Sequence, residues 1–348
     1  MILFHNDYNQ SCHPRVLKKI VENAYVPMTG YGNDSFCDRA AELIRNACGD
    51  NSLKVHFLVG GTQTNLTVIA AALKPYQAVI APASGHISEH ETGAIEATGH
   101  KILELPTTDG KLRAEQIEKV MLTHLAGDGP GREHTPQPKL VYISDSTEYG
   151  TVYTRSELEA LGDVCRKYDL YLFMDGARLG YALTAKENDM TLADIARICD
   201  VFYIGGTKVG TMFGEAVVIR NSILAEDFRY MIKQRGGMLA KGWLLGLQFE
   251  ALFENDLYFE IGRCANSYAD QIRETLNELG YPLTVNCGTN QVFAVMPDLV
   301  LDTLSNNFCF TEMGRVDETH RTVRFCTSWS TTKVEVDTLC KELIKLKN

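Results

Sequence analysis

Asp200-Val-Phe-Tyr-Ile-Gly-Gly-Thr-Lys-Val-Gly210 runs an apolar stretch into a glycine pair and then presents one lysine, Lys208. Val201 to Ile204 has the β-branched and aromatic content of a buried strand, and Gly205-Gly206 let the backbone turn sharply at its carboxyl end. In open α/β sheets ligands sit outside that end. A lysine held there loses solvation, becomes a usable amine near neutral pH and forms a Schiff base with a carbonyl compound. A solvated loop lysine is the competing reading, so Lys208 needs support from elsewhere in the chain.

That support lies upstream in Tyr168-Asp-Leu-Tyr-Leu-Phe-Met-Asp-Gly-Ala-Arg-Leu-Gly180, where the apolar run Leu170 to Met174 ends on Asp175. A carboxylate at a strand end, followed by Gly176-Ala177-Arg178, suits a group aimed into a crevice with a fixed positive charge beside it. An isolated Asp in such a place also serves as a turn or helix-cap residue. Leu179 to Asp200 leaves room for one helical crossover and a return strand, which puts Asp175 and Lys208 at the same edge of a parallel sheet. A lysine for a Schiff base and an acid to keep a pyridinium nitrogen protonated are together what pyridoxal phosphate requires.

Working outward, 348 residues suffice for one large and one smaller domain, and 45% hydrophobic with 22% charged residues is an ordinary globular composition. A net charge of −10 without a basic tract argues against nucleic acid or an anionic membrane as partner. Met1-Ile-Leu-Phe-His-Asn-Asp7 lacks the basic start and long apolar core of a signal peptide, and no apolar run approaches membrane-spanning length. The ten cysteines are scattered without a C-x-x-C pair, which reads as free thiols in a reducing cytoplasm rather than a zinc site. Gly127 to Pro138 is too rich in Gly and Pro to be helix or strand.

Pro14 to Tyr25 and Asp38 to Cys48 have helical spacing, with the polar loop Thr29-Gly-Tyr-Gly-Asn-Asp34 and its Tyr31 between them. Val55-His-Phe-Leu-Val-Gly-Gly-Thr-Gln-Thr-Asn-Leu66 is a strand that breaks at two glycines and enters a helix over Leu66 to Leu73. The helix start offers unpaired N–H groups to a phosphate, and Thr62, Thr64 and Asn65 add side-chain donors, although a tight βα turn looks the same. Gly85-His-Ile-Ser-Glu-His-Glu-Thr-Gly93 brings His86, His90, Glu89 and Glu91 together without the geometry of a full metal-ligand set. A histidine there can stack on a flat ring; capping acids in a polar loop are the plainer reading. Lys139 to Gly150 is another strand, ending near Glu148, a candidate acid or base.

Strands followed by helices predict an α/β fold with a mostly parallel central sheet, covering residues 15–245. Beyond about Trp243, Leu244 to Phe259 and Gly262 to Leu279 read as two amphipathic helices. They are followed by strands at Thr289 to Met296 and Thr322 to Cys326 and a last helix at Val334 to Lys345. Residues 246–348 are thus a smaller α+β unit, in which Arg324 sits mid-strand and needs an anionic partner or solvent.

These motifs occur in an order that resembles the low-specificity L-threonine aldolases of the β-eliminating lyase group, within the aspartate-aminotransferase-like (type I) pyridoxal phosphate enzymes. The resemblance runs from Asn6-Asp-Tyr to Arg324. It implies that Gly61 and Thr62, with Asn65 nearby, hold the cofactor phosphate, that His86 stacks on the ring, that Asp175 pairs with the ring nitrogen and that Lys208 carries the Schiff base. Arg178 and Arg324 bind the substrate carboxylate or a cofactor oxygen, Asn6 lies at the substrate, residues 1–14 pack near the site, and Tyr31 approaches the site of a neighbouring subunit. A homodimer, or a homotetramer of two dimers, is implied as well.

Two departures stand out. Thr147 is followed by Glu148 where the family commonly has Thr-His, and Gly236-Gly-Met-Leu-Ala-Lys241 ends in lysine where a Gly-Gly-x-x-Arg-Gln stretch is usual. The expected reaction is aldol cleavage of L-threonine or L-allo-threonine to glycine and acetaldehyde, with His86, Glu91 or Glu148 taking the β-hydroxyl proton. The competing readings are β-elimination or transamination by a related enzyme, and a non-catalytic binding protein.

Overall fold

A computed structural model describes residues 1–126 and 131–347. Seven strands form the central sheet: β1 (Lys54–Leu58), β2 (Gln77–Pro82), β3 (Lys101–Leu105), β4 (Gln137–Ser144), β5 (Tyr171–Asp175), β6 (Val201–Gly205) and β7 (Glu215–Ile219). Their order is β1-β7-β6-β5-β4-β2-β3. All neighbours are parallel except that β7 runs antiparallel to both β1 and β6. Every residue of β2, β6 and β7 is buried, as expected of strands covered on both faces.

Side-chain alternation sorts the sheet into two faces. Val141, Ile143, Leu172, Met174, Phe202 and Ile204 enter one core, and Leu140, Tyr142, Phe173, Val201 and Tyr203 enter the other. The helix Gly61–Ala72 covers the second face with Val68 and Ile69. It starts five residues earlier than the apolar spacing predicts, because Gly60 adopts an extended conformation and the helical hydrogen bonding begins with Thr64 N–H to Gly60 O at 3.0 Å.

The anticipated crossover between β5 and β6 is two short helices, Leu179–Ala182 and Leu192–Ile198, the latter opened by a Thr191/Asp194 capping box. Towards the carboxyl end the helices are Trp243–Phe253 and Leu257–Glu278, so Leu257 to Phe259 belong to the second rather than the first. The break falls at Asn255 and Asp256, whose φ values of 54° and 62° are left-handed. Gly262 is therefore not a helix start. It lies inside Leu257–Glu278, where a β-carbon would stand 2.3 Å from Gly180 O. The core of the large unit reaches along this helix to Ala265, and that of the small unit begins at Ala269.

The small unit carries β8 (Gln291–Pro297), β9 (Thr311–Arg315) and β10 (His320–Cys326) in the antiparallel order β9-β10-β8, backed by the helix Lys333–Lys347. The mostly exposed edge strand β9 has no apolar alternation and was not anticipated. Ile2–Leu3 pairs with Phe308–Cys309, and Phe4 is buried in the small core. In the stretch expected to be loop, residues 127–130 lie outside the described residues, Arg132–His134 is a 3₁₀ turn, and Gln137 already belongs to β4 through Gln137 N–H to Tyr76 O at 3.0 Å. All ten cysteines are free, and among the described residues no helix is long and apolar enough to cross a membrane.

Candidate active site

The carboxyl ends of β4, β5 and β6 converge because three glycines remove the atoms that would hold them apart. Gly205 N–H donates to Gly176 O at 2.9 Å, and a β-carbon on Gly176 would lie 1.9 Å from Tyr203 O. A β-carbon on Gly205 would lie 2.2 Å from Ala177 O, and one on Gly206 would lie 2.6 Å from Gly214 O. Asp175 and the turn bearing Lys208 are brought to one edge in this way.

Asp175 is buried at the end of β5, on the same face as Phe173. From the flanking strands, Tyr142 on β4 and Tyr203 on β6 share that face and reach forward to the carboxylate. Tyr142 OH donates to Oδ2 at 2.6 Å, and Tyr203 OH donates to Oδ1. Asn65 Nδ2 donates to Oδ2 and Ala177 N–H to Oδ1, each at 3.0 Å. Burial works to raise this carboxyl, but the field of His86 and the donors from Tyr142, Tyr203 and Ala177 hold it below the usual carboxylate range. An acid kept ionised at a buried strand end is what a pyridinium nitrogen needs as a partner.

A second chain of contacts starts at Asn65. Its Nδ2 also donates to Glu91 Oε1 at 2.7 Å, and the same oxygen lies 2.9 Å from His86 Nδ1. The expected role of Asn65 as a phosphate neighbour is therefore corrected: its amide is fully buried one turn into the helix and is engaged by two carboxylates. Thr64 Oγ1 likewise turns back to Gly60 O at 3.0 Å. Gly61 and Thr62 remain at the open end of the helix, with no side-chain cap and with room for a bulky group beside Gly60, where a β-carbon would meet nothing within 4 Å. First-turn N–H groups there have no acceptor within the helix, which fits a phosphate.

Glu148 is tied to the His86 segment. Its Oε1 accepts from His86 N–H at 2.9 Å and Ser144 Oγ at 2.8 Å, and its Oε2 is buried without a partner. Burial and the negative charge of Asp175 push this carboxyl up, against Ser144 and His86.

Arg178 makes a bidentate ion pair with Asp7, Nε to Oδ2 at 2.7 Å and Nη2 to Oδ1 at 3.0 Å, which leaves Nη1 and the second Nη2 N–H for other partners. Asp7 also accepts from Asn290 Nδ2 at 3.0 Å. Burial alone would raise Asp7, yet the charges of Arg178 and Lys208 with these bonds lower it to about 2. Asp7 thus ties the amino-terminal segment to Arg178, while the neighbouring Asn6 accepts from Tyr8 N–H through Oδ1 at 2.9 Å. Arg324 on β10 donates to Gln291 Oε1 at 3.1 Å and His5 O at 3.0 Å, while its Nε is buried without a partner.

Lys208 is half-buried in the turn after β6, and its carbonyl accepts from Tyr181 OH at 2.6 Å. Burial and the Arg178 guanidinium push its amine below the usual lysine range, against the pull of Asp7, Asp175 and Glu215. Tyr31 stands elsewhere. It is 48% exposed with φ 64°, its N–H donates to Ala240 O at 3.3 Å, and Lys233 Nζ lies 5.0 Å from its ring centroid.

An ionised buried acid, a desolvated lysine, an imidazole held by a carboxylate and an open helix end fit pyridoxal phosphate. Tyr142, Tyr203, Asp7, Asn290 and Glu215 complete the surroundings and had not been singled out from sequence. The family model described as β-eliminating lyase matches residues 15–298. The low specificity L-threonine aldolase of Pseudomonas sp. is 30% identical over 320 residues, covering 90% of this chain and 88% of that protein. A solved structure of Leishmania major threonine aldolase superposes with a TM-score of 0.97 at 44% identity, over 100% of both chains. Aspartate aminotransferase from Thermus thermophilus, 16% identical with a TM-score of 0.70 over 99% of this chain and 91% of that one, shares the fold. The chain belongs to the β-eliminating lyase family, pyridoxal phosphate-dependent enzymes that include the threonine aldolases.

Proposed function

We propose that this enzyme cleaves L-threonine and L-allo-threonine between Cα and Cβ, giving glycine and acetaldehyde. The observation that carries the reading is the joint placement of Asp175, Lys208, the Asp7–Arg178 pair and His86 in a chain that matches a threonine aldolase structure over its full length. When bound, pyridoxal phosphate supplies an aldehyde to take the substrate amine and a cationic ring to accept the electron pair left at Cα. Asp175 would pair with the ring nitrogen, His86 would stack on the ring, the first-turn N–H groups of Gly61 and Thr62 would hold the phosphate, and Lys208 would supply the amine for the aldehyde. The donors of Arg178 and Arg324 that have no protein partner would take the substrate carboxylate and orient the bond to be broken.

The β-hydroxyl proton needs an acceptor. Among the three candidates, Glu91 is engaged with Asn65 and His86, which makes it the group that orients the imidazole. With Nδ1 donating to Glu91, His86 presents Nε2 as a lone-pair acceptor, and we assign it the proton. Glu148 holds the His86 backbone from below. His86→Asn is expected to lower kcat for aldol cleavage by roughly 10²–10⁴-fold, and Glu148→Gln by less than about tenfold. The reverse ranking transfers the role to Glu148. Equimolar glycine and acetaldehyde, lost in Lys208→Ala, supports the aldolase; a keto acid with ammonia supports β-elimination instead.

The chain is read as a homo-oligomer, dimer or tetramer, that completes its sites across an interface. Tyr31 is joined to the segment bearing the exposed Lys241 through its N–H to Ala240 O at 3.3 Å, and both are read as reaching the partner's site. Mixing inactive Tyr31→Ala with inactive Lys208→Ala protein is expected to restore activity by forming hybrid sites. Ten free thiols accord with a cytoplasmic location.

A further inference from the structure

In the small unit, Val292 and Ala294 of β8 and Val323 and Phe325 of β10 enter the core, so the residues between them face the other way. Those are Gln291, Phe293, Arg324 and Cys326, with Arg324 opposite Phe293 and Cys326 opposite Gln291 in the antiparallel register. On the other side of Arg324 stands Thr311 of β9. The half-buried Arg324 thus lies on the middle strand of this face, with Gln291 and Thr311 on its flanks.

The Arg324 guanidinium is held by three acceptors, each from a different segment and each neutral. Nη1 donates to Gln291 Oε1 at 3.1 Å, and Nη2 donates to His5 O at 3.0 Å and to Thr311 Oγ1 at 3.4 Å. Among the described residues no carboxylate lies within 4.0 Å of it. Arg321, three residues earlier on the same strand, pairs with Asp298 at 2.7 Å, Asp302 at 2.6 Å and Glu312 at 2.7 Å. Arg178 is likewise matched by Asp7. Of the two arginines assigned to the substrate carboxylate, Arg324 alone keeps an uncompensated charge. Gln291 is fully buried, and because a guanidinium only donates, the amide turns its oxygen to Arg324 and leaves Nε2 buried without a partner. An unsatisfied buried donor is costly. A glutamate in the same place would carry no such donor and would neutralise Arg324, so an amide here serves something other than the local ion balance.

We propose that Gln291 is a positioning residue that sets specificity for the α-carboxylate of the substrate. It fixes the Arg324 guanidinium with a neutral acceptor, so that the charge of the arginine is kept for the anionic end of an amino acid. A carboxylate at position 291 would form a charge-assisted pair with the same nitrogen and take the place of the ligand. Gln291 acts through Arg324 and selects amino acids over amines that lack the carboxylate. The inference rests on reading Arg324 as a holder of the substrate carboxylate.

Equilibrium titration of the pyridoxal phosphate-loaded enzyme with glycine and with methylamine, the same amine without a carboxylate, separates charge recognition from general damage. Gln291→Glu is expected to weaken glycine binding roughly 10–100-fold and to leave methylamine binding unchanged. Gln291→Met, neutral and of similar length but a poor acceptor, is expected to weaken glycine less, by several-fold, again without effect on methylamine. Equal losses for the two ligands, or unchanged glycine binding in Gln291→Glu, overturn the proposal. Where Gln291→Glu does not fold, Gln291→Met decides alone, and unchanged glycine binding in it overturns the proposal. Arg324→Gln tests the premise. Unchanged glycine binding there removes Arg324 from carboxylate recognition and Gln291 with it, whereas a loss there with none in Gln291→Glu removes Gln291 alone. Glycine and methylamine bind without being cleaved, so failure of threonine cleavage alters neither readout.

Discussion

The Asp7–Arg178 pair joins the amino terminus to the β5 turn across 171 residues, with the Asp7 side chain wholly inaccessible and that of Arg178 13% exposed. Removing one partner of such a pair leaves an uncompensated buried charge, and Asp7→Asn is expected to cost about 3–5 kcal/mol in urea unfolding. The pH dependence has a definite sign. The folded carboxyl, at about 2, lies below its unfolded value, so the pair stabilises fully above the ordinary carboxylate range and is lost as pH falls through about 2. The unfolding curves of the two proteins should therefore draw together between about pH 4 and pH 2; a gap that stays constant there would place the stabilisation elsewhere. This partner was not legible in sequence because nothing in Asn6-Asp-Tyr distinguishes the residue that turns inward from the one that caps a local turn. Asp175 and Lys208 were legible, each standing at the end of an apolar run beside glycine. Tyr142 and Tyr203 read as strand filling, and their hydroxyl partners became visible only with the pairing of β4, β5 and β6.

At the scale of elements, the differences from sequence arise where a residue's meaning depends on a helix boundary. Starting the helix at Leu66 makes Asn65 a phosphate donor, whereas starting it at Gly61 turns Asn65 onto the buried face towards Glu91 and Asp175. Gly262 behaves in the same way, as a helix start in sequence and a close contact in the structure. An alanine there gains about 1 kcal/mol of helix propensity. Its β-carbon, however, would lie 2.3 Å from Gly180 O and 2.5 Å from Thr184 Oγ1, and the backbone oxygen has no way to yield without moving Leu179–Ala182. Overpacking of this kind costs about 1–3 kcal/mol, so the net effect of Gly262→Ala is destabilising. Because Leu179–Ala182 follows directly on Arg178, kcat/KM should fall as well. Ser267→Ala, on the exposed side of the same helix, should stay within about 0.5 kcal/mol of the unsubstituted protein. Equal unfolding midpoints for Gly262→Ala and the unsubstituted protein would mean that the two helices part without cost.

Across the whole molecule, buried acids of two kinds are found: Asp7 and Asp175 are held below the usual carboxylate range, whereas Glu148, Glu215 and Asp145 are pushed above it by burial. Asp145 follows β4, is 2% exposed, and donates its N–H to Asp175 O at 2.9 Å; its Oδ1 has no partner. Burial pushes its carboxyl up to about 8, against the Tyr153 N–H and the charge of Lys111. Between the unfolded value of about 4 and the folded value of about 8, the folded protein keeps a proton that the unfolded chain has lost. It therefore binds more protons than the unfolded chain, and stability falls as pH rises through that window. Asp145→Asn cannot ionise and escapes this penalty. In urea unfolding at a series of pH values, the variant should gain on the unsubstituted protein by up to about 1.4 kcal/mol per pH unit through the window, with no further gain once the folded carboxyl has ionised. Glu215, raised to about 7, acts with the same sign in both proteins and cancels from the comparison. Parallel curves throughout would show that Asp145 is ionised in the fold and that the loop bearing Glu148 is held by charge rather than by a buried acid.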